Sequence, residues 1–237
     1  MKVKLSDFIA DRLAVLGISQ VFMVTGGGSM HLNHSLATHS LITCTHNHHE
    51  QACAMAADSY FRLSGKLAVV NVTTGPGATN AITGVYGAWT DSLGMLVISG
   101  QVKWETTVQS TALPLRQLGD QEINIIKSIE SLTKYAITIT NPNSIKYHLD
   151  KAIYLATSGR PGPTWIDIPM NVQASIIDTD ELIGFDPSEI DEPWKNTDLP
   201  NICQAILEKL SQAERPVILA GTGIRLSRST DIFYQVV

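Results

Sequence analysis

A chain of 237 residues, 44% hydrophobic and 16% charged, has room for one substantial core, or for one complete domain and part of another. A net charge of -5 gives no electrostatic reason to expect nucleic acid or an anionic membrane surface as partner. No apolar run approaches the length of a transmembrane helix, so no membrane span is expected either.

Met1-Lys2-Val3-Lys4-Leu5-Ser6-Asp7 carries basic residues but then turns amphipathic, unlike the apolar core of a secretion signal. Leu5, Phe8, Ile9, Leu13 and Leu16 fall on one helical stripe, and Gly17 marks its stop. Val21-Phe22-Met23-Val24 is a short apolar run of the kind that forms a strand buried on both faces, and it leads into Gly26-Gly27-Gly28. The pattern then repeats. A strand is predicted over 41–45, a helix over 50–64 and a strand over 67–72. Gly75-Pro76-Gly77 breaks the chain before a helix over 80–89, and 95–99 is another apolar strand. Residues 102–118 read as a long loop of the kind usually tied to function. A strand over 133–139, a helix over 144–158 and a strand over 164–168 follow. Such alternation predicts an α/β fold, a parallel sheet with helices on both faces. The acid-rich and proline-containing stretch 174–200 reads as a linker. Ile202, Ile206 and Leu210 mark a further helix, and Pro216 to Ala220 a buried strand. That is the opening of a second α/β domain, and one strand cannot bury its own faces, so either the chain is a fragment or a partner completes it.

Glu50 is the acid in an unusual place. If it heads a helix, its face at i+3, i+4 and i+7 holds Cys53, Ala54 and Ala57, none able to pair with a charge. Its carboxylate would be desolvated and its pKa raised, which prepares a proton-transfer group. The alternative is a solvated first-turn glutamate favoured by the helix dipole. The turn Thr74 to Asn80 sits between a buried strand and a helix, where open α/β sheets bind ligands, although its glycines could serve only the turn. Gly26-Gly27-Gly28 has the same two readings. Neither matches a dinucleotide fingerprint or a P-loop. Six of the seven histidines, His31, His34, His39, His46, His48 and His49, crowd one region, but their spacing matches no zinc pattern and no metal is expected on them. No Gly-x-Ser-x-Gly elbow is present. Cys44, Cys53 and Cys203 are an odd number at wide spacing, which reads as reduced thiols and a cytoplasmic location.

Several motifs then stand together in order: His49-Glu50-Gln51, Thr74-Gly75-Pro76-Gly77-Ala78-Thr79-Asn80, Asp91-Ser92, Val97 to Val102, Gln121-Glu122, Thr133-Lys134, and Gly159 to Pro163 with Asp167-Ile168-Pro169. In this order they resemble the N-terminal, pyrimidine-binding domain of acetolactate synthase-like thiamine diphosphate enzymes. The resemblance implies a pyrimidine-binding domain over 1–173, a linker over 174–200 and the start of a middle domain over 201–237. It implies that Glu50 is catalytic: the matching glutamate bonds N1′ of the aminopyrimidine and favours the imino tautomer that takes the proton from thiazolium C2. It implies cofactor contacts from Gly26, Gly27, Glu50, Thr74, Pro76, Asn80 and Gln121, with Gln101 structural. The activity implied is decarboxylation and carboligation of 2-oxo acids such as pyruvate, with the cofactor as electron sink.

Two departures qualify the resemblance. Asp120 stands where acetolactate synthases usually carry Phe before the Gln-Glu pair, and Thr25 replaces the usual Pro before the two glycines. Residues 25–36 are similar to relatives in surface-sugar pathways, which would suit another acceptor. The family holds the diphosphate through Mg²⁺ on a separate domain marked by Gly-Asp-Gly, a motif missing from this sequence, and many members bind FAD through the middle domain. The chain is therefore expected to hold half a site, inactive alone. Its expected partners are a 2-oxo acid and either further copies in a homodimer or tetramer or a chain supplying the diphosphate-binding domain. The alternative is a non-catalytic or regulatory subunit beside a separate catalytic chain.

Overall fold

The computed structural model describes residues 1–191 and 198–237. They form two compact units, Met1–Asp186 and Pro187–Val237. The first begins with a short strand β1 (Lys2–Lys4) and helix α1 (Leu5–Val15), whose Leu5, Ile9, Ala10 and Leu13 are fully buried, as their spacing requires. Strand β2 (Gln20–Met23) leads through the glycine loop to α2 (Met30–Thr38), β3 (Thr43–His46) and α3 (Glu50–Ser64). Next come β4 (Val69–Val72), the short α4 (Pro76–Asn80), α5 (Ile82–Thr90) and β5 (Met95–Gln101). After the long loop follow α6 (Ile125–Ile129), β6 (Tyr135–Thr138), α7 (Ile145–Thr157), β7 (Pro163–Pro169), α8 (Met170–Gln173) and β8 (Ile176–Asp178).

Six strands make one parallel sheet in the order β3-β2-β4-β5-β7-β6. β4, β5 and β7 are buried along their whole length, so their sequences are mostly apolar on both faces rather than alternating, and the polar residues they do carry, Asn71, Ser99, Gln101, Thr164 and Asp167, are buried with them. α1, α2 and α7 pack their apolar stripes with the sheet into one core cluster, while α3 packs on β2, β4 and α5. The chain leaves β2 sideways to β3 and returns across it to β4. Beyond β4 it moves in the other direction, to β5. The strand order thus reverses between β2 and β4, and open α/β sheets bind ligands in the crevice at the carboxyl ends of such a pair.

Three details differ from the sequence reading. The helix predicted over 80–89 is two, broken at Ala81, because the Gly75-Pro76-Gly77 turn itself winds into α4. The segment from 174, read as linker, opens with β8, which pairs antiparallel with β1 as a separate two-stranded sheet. The rest of that reading includes residues 192–197, outside the described ones. In the second unit α9 (Leu199–Gln212) forms where Ile202, Ile206 and Leu210 predict it, followed by α10 (Gly223–Leu226) and α11 (Thr230–Val236). The strand predicted over 216–220 does not form, and Val217 and Leu219 are exposed. A strand needs a neighbour for its backbone groups, and none of the described residues supplies one. No helix among the described residues is long and apolar enough to cross a membrane.

Candidate functional site

The residues singled out in the sequence converge on the crevice between β2 and β4. Glu50 is the first residue of α3, capped by His49, whose ring nitrogen accepts from the Gln51 N-H at 3.1 Å. It is buried, 9% exposed, on the same face as Cys53, Ala54 and Ala57, all fully buried. The side chain that meets it comes from elsewhere: Asn80 Nδ2, at the end of α4, donates to Glu50 Oε2 at 2.9 Å. Oε1 takes no hydrogen bond from a described residue and lies beside Gly77. A Cβ added at Gly77 would stand 3.4 Å from Oε1 and 2.6 Å from Thr73 Cγ2. A side chain at Gly77 would therefore clash with Thr73 and come into contact with the carboxylate.

Gly75 allows the turn. Its φ of 58° is in the left-handed region, and a Cβ would meet the Gln121 carbonyl oxygen at 2.2 Å. The loop bearing Gln121 therefore lies directly on the Thr74 to Gly77 turn. Gln121 is itself held at φ 58°, an unusual conformation for a residue with a side chain. Glu122 shapes this loop by accepting from the N-H groups of Val108, Leu118 and Gly119 at 2.6, 3.0 and 3.1 Å. Pro76 starts α4 and is exposed.

Gly26 approaches from β2, so close that a Cβ would stand 2.5 Å from Thr73 Cβ. Gly28 N-H donates to Thr73 Oγ1 at 3.0 Å. Gly27 is exposed, with nothing within 4 Å of its added Cβ. Thr73 thus touches both glycine segments, a role the sequence reading missed; a threonine pair ending a buried strand before a glycine turn is the signal that could have found it. Behind the loop, Asn33 Nδ2 holds the Gly26 carbonyl at 3.1 Å, and Asn71 of β4 donates to Asn33 Oδ1 at 2.7 Å.

A second polar group backs the turn. The fully buried Asp167 of β7 accepts from Ser99 Oγ at 2.6 Å, Thr138 Oγ1 at 3.2 Å and Gln101 Nε2 at 3.4 Å. Burial pushes its carboxyl up to about 6, against the three donors that pull it down. The Ser99 hydroxyl also accepts from Trp165 Nε1 at 2.8 Å.

The histidines serve local structure where their bonds are defined: His49 caps α3, and His39 Nδ1 accepts from the Leu41 N-H. Among the described residues no group of three His, Cys, Asp or Glu side chains is placed to hold a metal ion. A cavity of about 740 Å³ runs along the edge strand β6, lined by Trp104, Lys127, Lys134 and Thr138 among others, and none of the predicted site residues is in its wall.

Residues 3–127 match the thiamine pyrophosphate enzyme, N-terminal TPP binding domain. The chain is 36% identical to the acetolactate synthase large subunit of Lactococcus lactis, over 96% of this chain and 38% of that one. It is 33% identical to acetolactate synthase 3, chloroplastic, of Brassica napus, over 92% and 32%, and 32% identical to the probable acetolactate synthase large subunit of Methanocaldococcus jannaschii, over 95% and 37%. It therefore spans about a third of the length of these curated relatives. With the matched model covering the β2–β4 crevice and its glycines, the chain belongs to the thiamine pyrophosphate enzyme family and carries its N-terminal TPP binding domain in an acetolactate synthase-like form.

Proposed function

We propose that this domain holds the aminopyrimidine half of a thiamine diphosphate site in an enzyme that decarboxylates 2-oxo acids such as pyruvate and joins the product to a second carbonyl compound. The observation that carries the reading is the state of Glu50: a buried carboxylate with one oxygen fixed by Asn80 and the other open beside Gly77. That donor set fits a ring nitrogen able to share a proton, and the glycine cradle leaves room for a flat ring that a Cβ would fill. When bound, the cofactor supplies a nucleophilic carbon and an electron sink for the 2-oxo acid.

The residues of this chain have separate parts. Glu50 shares the proton at the pyrimidine N1′. Asn80 holds the carboxylate in orientation from its outer side, so that Oε1 faces the crevice. Gly26, Gly27, Thr74 and Pro76 line the approach, and Gln121 overhangs it from the loop. Mg²⁺ and the diphosphate would be held by residues of another domain, and oligomerisation would bring the two halves together.

The test uses the protein carrying this domain together with a diphosphate-binding domain. Glu50→Gln keeps the shape and a hydrogen bond but cannot share the proton, so hydrogen-deuterium exchange at thiazolium C2 should slow about 10²-fold to 10⁴-fold, with cofactor affinity largely kept. Exchange at the wild-type rate in this variant would remove Glu50 from the chemistry.

A further inference from the structure

Gln101 ends β5 and is 2% exposed. Two neighbours that can each play only one part fix its amide. The Val102 N-H can only donate, so Oε1 lies there at 3.1 Å, and the Ile123 carbonyl can only accept, so Nε2 lies there at 3.0 Å. Oε1 also accepts from the Thr74 hydroxyl, and Nε2 also donates to Asp167 Oδ2 at 3.4 Å. Both N-H groups and both lone-pair directions are thereby used.

Thr74 and Ile123 belong to different segments. The first opens the turn that carries Pro76, Gly77 and Asn80; the second follows Gln121 in the loop that lies on Gly75. From behind, Asp167 holds Gln101 and is itself held by Ser99 and Thr138. These three residues stand in one register row across β5, β7 and β6, with Ser99 opposite Asp167 and Thr138 on its other side. The amide is bonded to both segments at once.

We propose that Gln101 is a positioning residue: anchored by Asp167, it ties the Thr74 turn to the Gln121 loop so that the two form one binding surface of fixed geometry. The inference rests on the reading of that turn and loop as facing the cofactor. It assigns Gln101 a task distinct from packing, since a residue that only filled space would need neither the amide nor its orientation.

The experiment is amide hydrogen exchange, followed by mass spectrometry, on the chain itself without cofactor. Gln101→Met keeps the length and removes every hydrogen bond. Exchange should rise about tenfold in both 74–81 and 119–125, the factor carried by one net hydrogen bond, while β4 and β7 stay protected. A rise in one segment alone, no rise, or an even rise over the sheet overturns the proposal. In the protein with its diphosphate-binding domain, the same variant should raise the half-saturating thiamine diphosphate concentration about tenfold and leave C2 exchange at saturation unchanged. A loss at saturation with unchanged half-saturation overturns it too. If Gln101→Met does not fold, Thr74→Val decides, because it removes the hydroxyl that bonds Gln101 and must raise exchange in 74–81 without cofactor. Unchanged exchange there counts against the proposal. The amide measurement needs no cofactor, so it stands or falls separately from the Glu50 test.

Discussion

Asp167 lies wholly inside the sheet yet carries a titratable group, tolerated there because Ser99, Thr138 and Gln101 all turn donors toward it. Its folded value, about 6, stands above the ordinary 3.8, so the folded state binds the proton more tightly and ionisation works against the fold. Below pH 3.8 both states are protonated and there is no cost; the cost grows as pH rises toward about 6 and is complete above it. A rise of this size corresponds to roughly 3 kcal/mol. Asp167→Asn removes the ionisation, so urea titrations should show its stability relative to wild type shifting by roughly 3 kcal/mol in its favour between about pH 4 and about pH 7. A difference that does not change with pH contradicts this. At this scale the burial of Glu50 was legible because its helical neighbours Cys53, Ala54 and Ala57 belong to its own element. Its bond to Asn80 was not, because that contact exists only once α4 has been brought against the start of α3.

The helix pair α3 and α5 gives the site its mount. A Cβ added at Gly84 would stand 2.5 Å from Ala54 Cβ and 3.0 Å from the Ala54 carbonyl carbon, so the two helices touch nearly backbone to backbone. The alanine-rich sequence of α3 has this second purpose besides surrounding Glu50. Gly84→Ala forces the helices apart and should cost about 1–3 kcal/mol, read as a lower urea midpoint; an unchanged midpoint would mean that the pair is loosely packed. Elements of this kind, long and strongly periodic, were legible in the sequence: the helix over 50–64 matches α3 residue for residue. Short ones were not. β1 and β8 are three residues each and exist through their pairing with one another, which no local pattern announces. The split of α4 from α5 escaped for a related reason, since Pro76 and Gly77 read as a break and yet serve as the first turn of a helix.

For the molecule as a whole, the alternation of apolar runs and helices was enough to predict a parallel sheet covered on both faces, and that is the fold of the first unit. The strand order was not written in any run. It follows from which helix crosses which face, and it alone puts Gly26 against Thr73. The strand expected over 216–220 failed for a global reason as well, having no partner strand among the described residues. The β1–β8 pair has a further consequence. The Met1 amino group lies 2.6 Å from Asp178 Oδ1 and 2.7 Å from Asp180 Oδ2, and the Thr179 N-H donates to the Met1 carbonyl, so the first unit is a contour that nearly closes on itself. Such a contour can be cut elsewhere. Ser64, Gly65 and Lys66 form an exposed turn before β4, at the opposite end of the sheet from the crevice. A circular permutant of residues 1–186 that joins its old ends by a short flexible linker and begins at Lys66 should fold with the native far-ultraviolet spectrum and the native protection of β4 and β5. Failure to fold would show that the order in which the strands are made, beyond their final arrangement, is needed to build the sheet.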